Sequence, residues 1–461
     1  VALSSTVVAD LTINTDFAQV EADQQQVNLT RFPLFFPEKR EFFLENAGLF
    51  QVGERLRPSS PPATLLFFSR QIGLTEDGDP VPLLGGARVT GKLGRYDIGA
   101  FDIVADEADI ENEDGEILHL PRTNFAAVRV KRDVRTRSSV GAMFLSKSPA
   151  DDGSSNQVVA VDASIAPSQS LSIIGFAAQS FTPGLTGSAH AAGFDLNWVT
   201  DRHRAVASYV DIGDDFNTEM GFLQREGIRK YRGSFEVQRR PGALNIRQLF
   251  VFDEHTYITD RQGTLQSQTN LAGSGAMLNN GSLFIGGWQN LAEGLTEPFE
   301  IRDGVEIPIG QYRFNQAGLF FELDRSRAVS GNGGISSGGF YNGTLHSVTL
   351  GTQYRPTGRL TLNLDYSRNL VSLPIDGGDF TTNLVIARAS LAFSTRAFLR
   401  GLVQYNDDDD EARYNLLFRY TYRPGSDLFV VYNEDRGIQG NRPALKNRQV
   451  LVKATVYVVP R

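Results

Sequence analysis

The chain's metal-binding and nucleophilic groups are few. There are five histidines and no cysteine in 461 residues. Without cysteine, a disulfide scaffold, a thiolate zinc site and a cysteine nucleophile are excluded. His119, His190, His203, His255 and His346 are scattered, and no two stand at metal-ligand spacing. His255 follows Asp253 and Glu254, which makes it the best candidate for an acid–imidazole pair of an outer-rim hydrolase. No nucleophile beside it is visibly activated, so the chain reads as a non-enzyme without a cofactor. Asp407 to Asp410 and the stretch Asp106 to Glu116 cluster oxygens of the kind calcium prefers. Both fall in predicted loops and read as solvated tips, so no metal site is assigned. Gly85-Gly86 and Gly331-Asn332-Gly333 precede no helix; glycines there read as bends or bulges, not phosphate loops.

The remaining ionisable residues show a pattern. Arg88, Lys92, Arg129, Lys131, Arg232, Glu236, Arg388, Arg400, Arg413 and Arg419 each recur at every second position against an apolar set. From Glu411 to Arg423 the even positions are Ala412, Tyr414, Leu416, Phe418, Tyr420 and Tyr422, while the odd ones are mostly charged or polar. Arg359 to Ser367 repeats this, with Leu360, Leu362, Leu364 and Tyr366 on one side. A period of two defines strands whose faces meet different surroundings. The first residues join in, with Val7, Ala9, Leu11 and Ile13 against Asp10, Thr12 and Asn14.

No apolar run approaches the roughly 20 residues of a spanning helix, but a spanning strand needs only about 9–11 alternating residues. Short links fall near Gly94-Arg95, Arg135-Thr136, Pro167-Ser168, Asp201-Arg202, Pro241-Gly242, Asn280-Gly281, Pro356-Thr357-Gly358, Thr395-Arg396 and Pro424-Gly425. Longer ones alternate with them, near 74–80, 107–121, 148–155, 181–187, 213–228, 293–310, 371–380, 407–410 and 436–445. Links sorted in this way predict an all-β, up-and-down antiparallel transmembrane barrel. The strand count is about 22–24. The lower value leaves the first strand out of the wall; the higher adds Phe42 to Gln51 as a strand. The apolar set, including Leu360, Leu364, Tyr414, Leu416, Phe418, Val450, Val452 and Val456, is assigned to lipid, and the ten charged positions to the lumen. The formal charge of −8 gives no support for nucleic-acid binding.

Residues 1–63 read as a first strand plus a segment that plugs or constricts the lumen, and 64–461 as the wall. Between Asp16 and Phe50 charges and aromatics are dense and aperiodic. Asp16, Gln19, Glu21, Asp23, Phe35, Phe36, Glu38, Lys39, Arg40 and Glu45 are the candidate constriction residues. Folded inward, their charges meet the lumen arginines and acids, and the phenylalanines build a local core.

This stretch, with Phe67-Phe68-Ser69-Arg70-Gln71-Ile72-Gly73, resembles an uncharacterised bacterial family. Its members carry a periplasmic module similar to family 9 carbohydrate-binding modules, followed by a C-terminal β-barrel domain of unknown function. Phe216-Asn217-Thr218-Glu219-Met220-Gly221-Phe222, Gly378-Asp379-Phe380-Thr381-Thr382 and Tyr422-Arg423-Pro424-Gly425-Ser426-Asp427-Leu428 also match the family pattern. The sugar-binding module is not among these residues. The last residues, Val456 to Arg461, lack the usual terminal aromatic, with Tyr457 as its nearest substitute. The resemblance implies a bacterial outer-membrane barrel in contact with lipid. It would pass a polar solute, with glycans among the classes, through a lumen narrowed by 16–50. The alternative is a non-conducting anchor or assembly partner for a periplasmic module or another membrane protein.

Overall fold

The computed structural model describes residues 6–13, 22–55, 61–75, 80–111, 117–150, 154–439 and 442–456. Asp16, Gln19, Glu21 and Tyr457 lie outside these residues, as does 112–116 of the acidic stretch. Alternating β-branched and aromatic residues, broken by Gly, Pro and Asn turns, produce one 22-stranded sheet. Its strand pairings among the described residues are all antiparallel. Val7–Ile13 pairs with Leu83–Leu93. From there each sheet strand pairs with the next in chain order, ending at Arg442–Ala454. Three two-stranded ribbons are separate from this sheet. Among the described residues, helix is confined to Glu41–Leu44, Ala47–Phe50 and one 3-10 turn at Ser69–Gln71.

Two counting expectations are corrected. The first strand belongs to the sheet, and the 22 strands include it. Phe42 to Gln51 is not a strand but two short helical turns broken at Asn46, whose φ of 59° is left-handed. The reason is packing. Phe43 and Phe50 both insert into one hydrophobic cluster, which an extended alternating segment would not allow.

The links are sorted by side, with exceptions. One side holds tight connections such as 94–95, 136–137, 200–202 and 424–425. The other holds the long stretches 213–227 and 296–309, the latter carrying the hairpin Phe299–Arg302 with Val305–Ile307. That second side also has tight links at 261–264 and 341–342, and the expected loop at 436–445 is strand on both flanks. There Gly, Arg and Asn suggest a loop, but cross-strand pairing from Arg436 to Gln439 with Leu445 to Arg442 overrides them.

The two faces differ sharply. On one, Leu350, Leu364, Leu416, Val450 and Val452 are exposed, with Val452 at 66%. The same face carries Trp198, Phe235, Val251 and Trp288 along the sheet. Phe418 and Leu360 share it but are half-buried. On the opposite face four clusters of buried apolar residues lie against the N-terminal segment or between neighbouring strands. The largest joins Phe101, Ile103, Phe125, Met143 and Val210 of the sheet to Phe43, Phe50, Leu66 and Ile72. Gly99 makes room for it: a Cβ there would lie 2.7 Å from the Phe50 ring.

Exposing so wide an apolar face to water is unfavourable, whereas contact with hydrocarbon is not. Leu350→Arg is therefore expected to cost about 2–4 kcal/mol in a bilayer, the figure for a mid-depth charge facing lipid. Thr349→Arg, on the other face, is expected to change stability by less than about 0.5 kcal/mol. Equilibrium urea unfolding in vesicles measures both.

Candidate functional site

The N-terminal segment runs over the face opposite the exposed apolar one and bonds to strands far apart in the sheet. Gln404 holds its start: Gln25 N donates to Gln404 Oε1 at 2.8 Å, and Gln404 Nε2 donates to Asp23 O at 2.9 Å. Ala22 and Val27 pack on Leu384, Ile386 and Leu402. Arg31 reaches Glu293 at 3.5 Å, while Arg225 stacks over Phe32 and donates to Ser267. Burial lowers the Arg225 guanidinium to about 10, against the raising influence of Glu293. Further on, Arg88 donates to Glu45 and Asp10, and Arg129 to the Leu49 carbonyl. Glu54 meets Lys230 at 2.9 Å with both side chains buried.

The centre of the segment is a charged knot. The Asp23 carboxylate pairs with Lys39 at 2.9 Å and Arg70 at 2.6 Å. Arg40 is buried and donates to Ser69 O at 2.7 Å, to Ile72 O at 2.5 Å and to Glu38. Burial alone would raise the Glu38 carboxyl; hydrogen bonds and charge from Arg40, with a bond from Ser69, hold it below the usual carboxylate range. Phe35 packs between Phe68 and Phe222, each 5.1 Å away by ring centroid. Arg70 lies over Phe36.

Two motifs behind the family resemblance converge here. Phe68 N donates to Met220 O at 2.7 Å, and Thr218 Oγ1 donates to Leu66 O at 2.8 Å. Thr64–Leu65 and Phe222–Leu223 form a two-stranded ribbon.

The strand register carries all ten charged strand positions to the segment's face. Each has neighbours there. Arg129 meets Asp162 at 2.6 Å, Arg232 meets Glu254 at 2.5 Å, Arg413 meets Glu411 at 2.6 Å and Arg419 meets Asp427 at 2.7 Å. Arg388 pairs with Asp365. Lys92 lies between Asp97 and Asp133, and Lys131 stands opposite Asp97. Glu236 stands opposite Arg204, and Arg400 lies 5.7 Å from the Phe398 ring. Of the described constriction residues, Asp23 with Lys39 and Glu38 with Arg40 form pairs, and Glu45 reaches the wall through Arg88. Sequence reasoning missed Glu54, Lys230, Asp162 and Gln404. Lys230 falls one position before the alternation read from Tyr231, where its parity was legible.

His255 lies on the exposed apolar face, with Asp253 at 2.5 Å and Asn270 at 2.8 Å. Both ring nitrogens are engaged, and no hydroxyl is bonded to either in that pair of contacts. A second acid–imidazole–hydroxyl grouping had no signal in the sequence reading. Ser188 Oγ is 3.0 Å from His190 Nδ1, but Asp211 is 3.8 Å from His190 Nε2 and is held at 3.1 Å by Arg261. No three residues of the described part form a metal-binding group of His, Asp or Glu. Asp408 pairs with Arg302 at 2.9 Å.

A domain family of unknown function, DUF5916, matches residues 3–371, and the chain belongs to that family. Among solved structures, the chain is similar to the crystal structure of the siderophore receptor PirA from Pseudomonas aeruginosa. That similarity has 10% identity and a TM-score of 0.49, and it covers 81% of this chain and 80% of that one. Comparison with curated proteins yields no match.

Removing one member of a buried ion pair leaves an uncompensated charge. Glu54→Ala is expected to destabilise the protein by about 3–5 kcal/mol through Lys230. The readout is a lower temperature for loss of the compact band in heat-modifiable gel migration. Because the folded Glu38 carboxyl titrates below its ordinary value, its stabilisation is complete at neutral pH. It is lost as pH falls through that folded value, and Glu38→Gln should remove this acid-side dependence in pH-resolved unfolding.

Proposed function

We propose that the chain is an outer-membrane β-barrel that passes a polar solute, with residues 16–50 narrowing its lumen, and that it is not an enzyme. The observation that carries this reading is the inverted polarity of the sheet. Large apolar side chains such as Leu350 and Val450 are exposed on one face, while Arg88 and Arg129 are buried on the other. Hydrocarbon rewards the first arrangement, and the segment's carbonyls and acids support the second.

In lipid an open sheet edge is not tolerated, so closure of Val7–Ile13 on Arg442–Ala454 completes the proposed barrel. An even number of strands makes these two antiparallel, as closure by the same pattern requires. A wall of 22 strands encloses more space than its own side chains fill. The segment's bonds to both Arg88 and Gln404 support its lying across that space. The ten charged positions would then line the lumen. A glycan is one class of solute this polar interior would suit.

The alternative, a non-conducting anchor or assembly partner, draws on the large apolar cluster that seals the segment onto strands between Leu83 and Asp260. Planar-bilayer recordings separate the two. The intact chain is expected to show low conductance, and a folded variant lacking 16–50 a severalfold higher one. Silence from both, in ions and in small sugars, would contradict transport and favour the anchor.

A further inference from the structure

We propose that the cavity between residues 22–26 and the inner face of the C-terminal strands binds an uncharged, polyhydroxylated solute. This deepens the channel reading and rests on its assignment of that face to water. The cavity measures about 490 Å³, inside the roughly 300–1,000 Å³ range of small-molecule sites. Three consecutive glutamines, Gln24, Gln25 and Gln26, line it from the segment, and Asn415, Asn433 and Gln449 are among those lining it from the wall.

The charged groups in the lining already have partners within the protein. Arg70 is held by Asp23, Arg413 by Glu411, and Asp409 accepts from Asn406 Nδ2 at 2.6 Å. Asp435 stands opposite Arg413 in the strand register. Little net charge is left to select an anion or a cation.

The amides retain capacity. Asn415 Nδ2 donates to Asn433 Oδ1 at 2.6 Å, which leaves the Asn415 oxygen and the Asn433 amino group for other partners. Gln25 Oε1 is buried without a hydrogen-bond partner among the described residues. A buried acceptor of this kind needs a donor. Carboxamides offer a donor and an acceptor side by side, and a hydroxyl both gives and accepts a hydrogen bond. A ligand with many hydroxyls and no charge matches that lining; an ionic one would have to break existing pairs.

The test is calorimetric titration of the detergent-purified full chain with maltotriose, cellotriose and raffinose. Trigalacturonate and spermidine serve as charged counterparts. The expected result is saturable binding of at least one neutral saccharide, weakened at least tenfold by Asn415→Leu with Asn433→Leu and not displaced by the charged compounds. Gln449→Leu is the second variant should the double one lose its compact gel band. The site is refuted if no neutral saccharide binds, if a charged compound binds more tightly, or if the folded variants bind as the parent does. Raised conductance of the shortened chain without saccharide binding by the intact one removes this site and leaves the channel. Saccharide binding by a protein that never conducts upholds the site and removes the channel.

Discussion

Hydrocarbon offers a peptide group no hydrogen-bond partner. Every amide and carbonyl that crosses it must be paired inside the protein, and side chains that touch it are favoured when apolar. A sheet with antiparallel pairing throughout and one apolar face meets this requirement. From Leu83–Leu93 onward each sheet strand pairs with the next in chain order, so most of the backbone ladder is local. Side chains alternate along the strands apart from bulges such as those at Ile258/Thr259 and Asp435/Arg436; in the proposed bilayer, one slip of register would place a row of arginines against lipid. The 22 strands hold that parity from Val7–Ile13 to Arg442–Ala454.

The N-terminal segment meets the opposite face of the sheet in two ways. Toward the early strands it brings apolar bulk: Phe43 and Phe50, with Leu66 and Ile72 just after the segment, join Phe101, Phe125 and Met143 in one buried core. Toward the late strands it brings polar groups: Asp23 and Gln25 meet Gln404, and the space beside them stays open. Ion pairs such as Glu54–Lys230 and Arg88–Glu45 set its position between these regions. Specificity of placement, more than net stability, is what a buried pair such as Glu54–Lys230 is suited to supply.

Much of the wall was legible in the sequence because a period of two survives wherever a strand has two environments. Tyr414, Leu416 and Tyr420 fall on one face, and Arg413 and Arg419 on the other, as the alternation implied. Tight turns at Gly94-Arg95 and Pro424-Gly425 were legible from their chemistry. What failed had a physical cause. Phe42 to Gln51 reads as apolar enough for a strand, yet its aromatics answer to a tertiary cluster. The last hairpin reads as a loop, yet a neighbouring strand recruits it. The inner site was half visible. The charges of 38–45 stood out, but Glu54, Asp162 and Gln404 acquire meaning only through partners 33 to 381 positions away.

The chain has no native cysteine, so single cysteines can report which face meets lipid. Fluorescent labels placed at position 416, exposed in the structure, and at position 415, buried on the opposite face, sit on neighbouring residues. In vesicles carrying lipid-borne nitroxide quenchers, the label at 416 should be strongly quenched and the one at 415 protected. Equal quenching, or quenching of 415 with 416 responding only to water-soluble quenchers, would contradict the account.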